Sequence, residues 1–180
     1  KLLSQVAEET IENARIAVLT GPSFASEIAR GMPSAVTVSA RDADLRRELQ
    51  ESLGVKHFRP YITEDIIGTQ LSGAIKNVIA IACGIVMGRK MGESARAALL
   101  TRGVAEIARL TVAMGGQKDT LLGMCGVGDL TLTCTSTQSR NYSLGLALGE
   151  GKTMEEVLKT RNSVTEGIYT AKATLALAKK

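Results

Sequence analysis

The run LSGAIKNVIAIACGIVMG at residues 71–88 constrains this chain more than any other stretch, being nearly all apolar or small yet interrupted by Lys76 and Asn77. At this length it reads as a buried helix of a soluble domain. Gly73, Asn77, Ala80, Gly84 and Gly88 recur at spacings of four and three, which lines up small side chains on one stripe that a second helix can approach closely. A membrane reading of that stripe needs a span. Lys76 and Asn77 leave an uninterrupted apolar run of only about ten residues, against the roughly twenty that a bilayer requires. A lysine in such a run is costly. Burial disfavours the charged form of an amine, which makes Lys76 a candidate general base; the alternative is a lysine that snorkels its ammonium to water near a helix start.

The pattern around this helix changes near residue 65. Before it, a helix over 1–13 is followed by the apolar strand ARIAVLT, the loop GPSF leading into helix ASEIARG, and the strand SAVTVSA. A helix DADLRRELQESLG, with Asp42 placed to cap it, and an extended KHFRPYI complete a βαβ rhythm. After Thr63-Glu64-Asp65 the strand signal disappears. Helices are expected at 66–87, 94–115 and 153–159, with a shorter one near 118–123 and another from 165 to the end. The fold class expected is therefore α/β followed by all-α, with a domain boundary at about 65. We find no internal repeat and no low-complexity tract.

Composition narrows the function. With 44% hydrophobic and 22% charged residues the chain is an ordinary globular sequence rather than a disordered one. The net charge of +4 is spread without a basic run and aromatics are 3%, which suits a small anionic ligand better than nucleic acid. Cys83, Cys125 and Cys134 form no CxxC pair, and His57 is the single histidine, so no metal site is expected and the thiols read as reduced ones of a cytoplasmic protein. No signal peptide opens the chain, and Lys1 leads at once into an amphipathic segment; both ends read as cuts within a longer protein.

Two loops offer polar groups. Gly21-Pro22-Ser23-Phe24-Ala25 stands between a strand and a helix, where free N–H groups and the helix dipole can meet a phosphate or carboxylate; turn geometry alone is the competing explanation. GMCGVGDLTLTCTSTQSRN is read as a second loop, in which Gly123, Gly126 and Gly128 permit close backbone approach. Asp129 there suits polyol hydroxyls and Arg140 suits phosphate, although Asp129 as a helix cap remains an alternative. Together with Lys76 these look like parts of one anion-handling active site. No GxGxxG fingerprint occurs: GVGDLT fails at its last position, and GEGKTM has neither that pattern nor Walker spacing.

In order and spacing, GPSFASEIARGMPSAV, LSGAIKNVIAIACGI, AALLTRGVAEIARL, GVGDLTLTCTSTQSRN and SVTEG resemble the bacterial NAD(P)-dependent glycerol-3-phosphate dehydrogenases. The resemblance covers nearly the whole chain. It implies the C-terminal part of a Rossmann-type coenzyme domain (1–65), lacking its N-terminal fingerprint, followed by a mostly helical substrate domain (66–180) that is itself cut short. It also implies reduction of dihydroxyacetone phosphate to sn-glycerol 3-phosphate with NAD or NADP as coenzyme. Lys76 matches the family's catalytic lysine and Asp129 its substrate aspartate, with Asn77 and Thr133 as supporting polar groups. Gly21 and Ser23 match substrate-loop positions and Ala25 a coenzyme contact. Ser139, Arg140 and Asn141 match the SRN motif at the substrate, Arg140 also lying near the coenzyme, while Val164 and Glu166 match further coenzyme contacts.

The chain departs from the family upstream, in its shortened C-terminal helical region and in one loop. The glycine fingerprint, the coenzyme-specifying residues and a further substrate lysine all belong upstream, and GRKMGES carries Glu93 where an asparagine is common. A small-molecule substrate, no nucleic acid, no membrane, and a homodimer as one admissible assembly complete the expectation. Two other readings stand beside it: a non-catalytic helical interaction module, and a related hydroxy-acid dehydrogenase of the same two-domain plan. The isolated 180 residues are expected to turn over poorly.

Overall fold

The computed structural model describes residues 1–159 and 165–178. The chain gathers into two compact units, one formed by Lys1–Gly73 with Ile107–Asp129 and the other by Ala74–Glu106 with Leu130–Lys180.

The first unit is built on a small sheet. Its central strand is β2 (Ser34–Ser39), whose alternating β-branched residues SAVTVS suit a pleated surface, and Val36 to Ser39 are buried on both faces. β3 (Phe58–Thr63) pairs parallel to β2 from Ser34↔Phe58 to Ser39↔Thr63, and the crossover is carried by α3 (Ala43–Leu53). Asp42 caps α3 as expected, its carboxylate accepting from the N–H groups of Asp44 and Leu45 at 2.8 and 3.1 Å. Those two bonds hold the Asp42 carboxyl below its ordinary range.

β1 (Val18–Thr20) runs antiparallel to β2, with Thr20 opposite Thr37. Its connection to β2 is only the one-turn α2 (Ala25–Ile28), closed by a Schellman turn in which Met32 N–H donates to Glu27 O and Gly31 N–H to Ile28 O. Gly31 takes φ +71° there, the left-handed conformation that this closure needs. The alternating strand–helix pattern thus contains one parallel crossover and one antiparallel return. α1 (Leu3–Thr10) is tied to the start of the long helix α4 (Ile66–Gly88) by Gln70, whose side chain accepts from Ser4 N–H at 3.0 Å and donates to its hydroxyl at 2.7 Å.

α4 (Ile66–Gly88) and α5 (Glu93–Ala113) are the two long helices, close to the expected 66–87 and 94–115. Glu93 starts α5 and pairs with Arg96 one turn on. By length and composition α4 is apolar enough to cross a membrane, because Lys76 is its single charge. Counting the apolar run only after Asn77 had made it too short. After α5 the chain makes a 3-10 turn (Lys118–Leu122) and a π-type turn (Met124–Gly128).

In the second unit the small-residue stripe of α4 has the consequence its spacing suggests. α7 (Arg140–Gly149) lies so close that a Cβ on Gly84 would stand 2.7 Å from Leu146 N and 2.9 Å from Gly145 C. A Cβ on Gly149 would stand 2.9 Å from the Cα of Gly88. Glycines on both helices let the backbones touch. α6 (Asp129–Thr135), α8 (Met154–Lys159) and α9 (Glu166–Ala178) complete the helices described. Thr153 and Glu156 form a reciprocal cap at the start of α8, Thr153 N–H donating at 2.8 Å and Glu156 N–H at 3.2 Å. Among the described residues every strand lies before residue 64.

Candidate active site

In the first unit, the end of β1 organises one group of candidate residues. Gly21 follows Thr20 and is buried against β2: a Cβ there would lie 2.7 Å from Val36 Cα, so only a glycine lets the chain leave the strand at this height. Ser23 is half-buried and its hydroxyl donates to Gly21 O at 3.1 Å, folding the loop back on itself. Ala25 begins α2 and is exposed. The paired rungs Thr20 and Thr37 hold the two ends of the turn that delivers Asp129. Cys125 N–H donates to Thr37 Oγ1 at 3.1 Å, and Thr20 Oγ1 donates to Asp129 Oδ2 at 3.0 Å. Ser72 adds a hydroxyl bond to Cys125 O. Gly128 completes the approach, since a Cβ there would stand 3.4 Å from Pro22 Cγ. The GPSFA loop and the GVGD turn, far apart in sequence, are therefore neighbours, with Asp129 2% exposed at their junction.

In the second unit a different set converges. Lys76 and Asn77 stand one after the other on α4 and are half-buried, so of the two alternatives the sequence left open for Lys76, full enclosure among apolar side chains does not hold. The reason is the stripe: the face of α4 that meets α7 carries Asn77, not Lys76. Asn141, 4% exposed, donates from Nδ2 to Asn77 Oδ1 at 3.0 Å and accepts at Oδ1 from Gly167 N–H at 2.9 Å. One amide thus ties α4, α7 and the start of α9. Gly167 is compelled by the same contact, because a Cβ on it would lie 2.6 Å from Asn141 Oδ1.

Ser139 caps α7 by accepting Tyr142 N–H at 3.2 Å, which leaves its own O–H free to turn toward another acceptor. Arg140 pairs with Glu166 at 2.6 Å, their side chains 52% and 43% exposed. In that setting the pair adds little stability, but it holds a guanidinium and a carboxylate where a ligand can reach both. A phosphate-bearing dinucleotide with ribose hydroxyls fits that donor set. Thr133 is buried on α6. Val164 lies outside the described residues.

The segment read as a loop from Gly123 to Asn141 is mostly helical. Asp129 is the first residue of α6, and Ser139 to Asn141 form the cap and first turn of α7. Apolar spacing was too short to show it: α6 has seven residues and α7 is interrupted by glycines. Sequence reasoning also missed Thr20, Thr37 and Gly167. A threonine ending a strand one residue before the GPSFA loop was a signal for the first; the main-chain role of Gly167 left none.

The three thiols are all buried. Burial pushes the Cys125 thiol up, whereas the hydrogen bond with Cys134 pulls Cys83 down despite its burial. Among the described residues, no three His, Cys, Asp or Glu side chains stand together as a metal site would need.

Comparison with known proteins gives the same direction. The family model for the NAD-dependent glycerol-3-phosphate dehydrogenase C-terminus matches residues 65–180, and that for the N-terminus matches residues 1–46. The chain is 57% identical to the glycerol-3-phosphate dehydrogenase (NAD(P)+) of Parvibaculum lavamentivorans, covering 99% of this chain and 54% of the relative. It is 52% identical to that of Caulobacter vibrioides, covering 100% and 54%. Among solved structures, glycerol-3-phosphate dehydrogenase from Coxiella burnetii superposes with a TM-score of 0.96 at 43% identity, over 99% of this chain and 55% of that one. The Plasmodium falciparum structure shares the fold at 22% identity, with a TM-score of 0.88 over 99% and 51%. The chain spans about half the length of the curated relatives it matches. With the family models matching most of its residues, the chain belongs to the NAD-dependent glycerol-3-phosphate dehydrogenase family.

Proposed function

We propose that these 180 residues carry the substrate and proton-transfer part of an NAD(P)-dependent sn-glycerol-3-phosphate dehydrogenase, which reduces dihydroxyacetone phosphate for glycerophospholipid synthesis. The observation that carries this reading is the Asn77–Asn141–Gly167 tie. It fastens the turn of α4 that bears Lys76 to the starts of α7 and α9, where the Ser-Arg-Asn and Glu-Gly segments stand. A packing module has no need of that polar link.

In the reaction Lys76 donates a proton to the C2 oxygen of the ketone as the carbinol forms, and removes it in the reverse direction; a positioned acid–base group of this kind contributes about 10²–10⁴-fold. NAD(P)H, when bound, supplies the hydride to C2. Asp129 accepts hydrogen bonds from substrate hydroxyls, Arg140 meets the phosphate, and Gly21, Ser23, Asn77, Thr133, Ser139 and Asn141 hold the substrate. Ala25, Arg140, Val164 and Glu166 are the candidate coenzyme contacts.

The domain boundary is placed near residue 65, with 1–65 belonging to the coenzyme domain and 66–180 to the substrate domain. α4 is read as a domain helix rather than a span, because α7 backbone occupies its glycine stripe. A cytoplasmic enzyme, working without nucleic acid or membrane and able to form a homodimer, fits these features.

The test is oxidation of NADPH, and separately NADH, by dihydroxyacetone phosphate, using the longest native polypeptide that contains this stretch, with Lys76→Met beside it. Turnover that falls by about 10²-fold or more in a folded K76M protein is expected. A mutant as active as wild type overturns the assignment of Lys76. No oxidation of either coenzyme by wild type overturns the reaction and moves a related hydroxy-acid dehydrogenase or an interaction module ahead.

A further inference from the structure

We infer that Thr20 is a positioning residue for Asp129, fixing the direction in which its carboxylate presents to the substrate. The inference rests on the proposed function for its catalytic consequence, but its geometry stands apart from it. Asp129 is 2% exposed, and Thr20 Oγ1 donates to its Oδ2 at 3.0 Å. A hydroxyl that rotates freely would be a poor guide. Thr20 instead packs on its other side against Gly73 of α4, so closely that a Cβ there would stand 2.9 Å from Thr20 Oγ1 and 3.4 Å from its Cβ. The strand register fixes the rest: Thr20 pairs with Thr37, and Thr37 holds Cys125 at the other end of the turn that leads to Asp129.

The two threonines therefore set both the height and the orientation of the aspartate. A β-branched residue suits this duty, since its χ1 is stiff and the strand holds it. Gly73, the first member of the small-residue stripe, is explained by the same contact: it leaves room for the hydroxyl.

The experiment uses the longest native polypeptide containing this stretch, as wild type, Thr20→Val, Thr20→Ser and Gly73→Ala. Loss of one hydrogen bond to a charged group predicts a roughly 10- to 100-fold fall in kcat/KM for dihydroxyacetone phosphate in T20V. T20S should recover to within about threefold, and G73A, which crowds the hydroxyl, should resemble T20V. The KM for NADPH should stay at the wild-type value in all of them. A purely structural role at the end of β1 would disturb the GPSFA loop and raise that KM as well, and serine would not rescue it selectively.

Wild-type turnover with T20V equal to wild type overturns this inference alone. If wild type does not oxidise NADPH with dihydroxyacetone phosphate, the proposed function fails instead, and crystal structures of wild type and T20V then decide the positioning role. An Asp129 carboxylate that keeps its orientation in T20V overturns it, and one that turns supports it.

Discussion

Gly145→Ala tests whether the glycine seam between α4 and α7 holds the second unit's polar tie in place. Two effects oppose each other. Alanine is favoured over glycine inside a helix by about 1 kcal/mol. Against this, a Cβ at 145 would collide with the Ile81 carbonyl oxygen and stand 2.8 and 3.0 Å from Ile81 C and Cα. These are main-chain atoms of α4 and no side-chain rotation relieves them. Carbon contacts are most favourable at about 3.5–4.0 Å, so α7 must retreat by something approaching an ångström.

That retreat loosens the contacts at Gly84, Gly88 and Gly149 together. Overpacking of this kind costs about 1–3 kcal/mol, and with backbone on both sides the upper part of the range applies, leaving a net loss of about 1–2 kcal/mol. Gly103→Ala is the matched control. The atoms nearest its Cβ are all in the Ile79 side chain, with Cγ2 at 2.9 Å, and a rotamer shift of about 0.5–1.5 kcal/mol offsets the same helix gain. Urea denaturation should separate the two variants. G145A should also lose turnover, because Asn141 lies one turn before it and the 3.0 Å bond to Asn77 lengthens as α7 moves. A G145A protein as stable as G103A would refute the argument.

Asn141→Leu leaves the Gly167 N–H and the Asn77 amide without their buried partner, which costs about 1–3 kcal/mol for each stranded group by denaturant unfolding. Asn141→Asp keeps the acceptor for Gly167 but loses the donor to Asn77, so its cost should fall between wild type and N141L, with steady-state turnover in the same order. For Asp42, the folded carboxyl titrates below its ordinary value of 3.8, so its cap is fully present above that value and is lost as pH falls through the lower folded one. Asp42→Ala should therefore lower Tm near pH 7, and the difference from wild type should vanish in strong acid. At pH 8, a thiol reagent should label Cys125 only after unfolding, since its thiol is buried and pushed up; labelling within minutes in the native protein would contradict that placement.

Much of the fold was legible because its signals are local. The β-branched SAVTVS, the Asp42 cap and the apolar length of α4 each act over one element, and the structure places β2, α3 and α4 within a residue or two of where they were expected. The direction of β1 was not legible. Whether a short strand returns parallel or antiparallel is decided by the connection, here a one-turn α2 closed at Gly31, and nothing in ARIAVLT itself encodes it. α6 and α7 failed for a different reason: their glycines and threonines serve contacts with other segments, so helix propensity and apolar spacing were both weakened where tertiary packing was strongest.

The same division runs through the candidate residues. Lys76, Asp129 and Arg140 could be singled out because a charge among apolar or glycine-rich neighbours is conspicuous in one dimension. Asn141 could be named as a donor beside Arg140 but its partners could not, because its two bonds join residues 64 and 26 positions away in sequence. Thr20 escaped altogether, since its partner Asp129 lies 109 residues on. A catalytic group must differ chemically from its surroundings, and that difference is written in the sequence. A group that aims it need only be the right shape at the right place, and an ordinary threonine at the end of a strand meets that need without announcing it. Residues of the second kind are consequently where substitutions in this chain should surprise a reader of sequence alone: Thr20→Val removes one hydroxyl and no charge, yet it takes away a hydrogen bond to the buried Asp129 carboxylate.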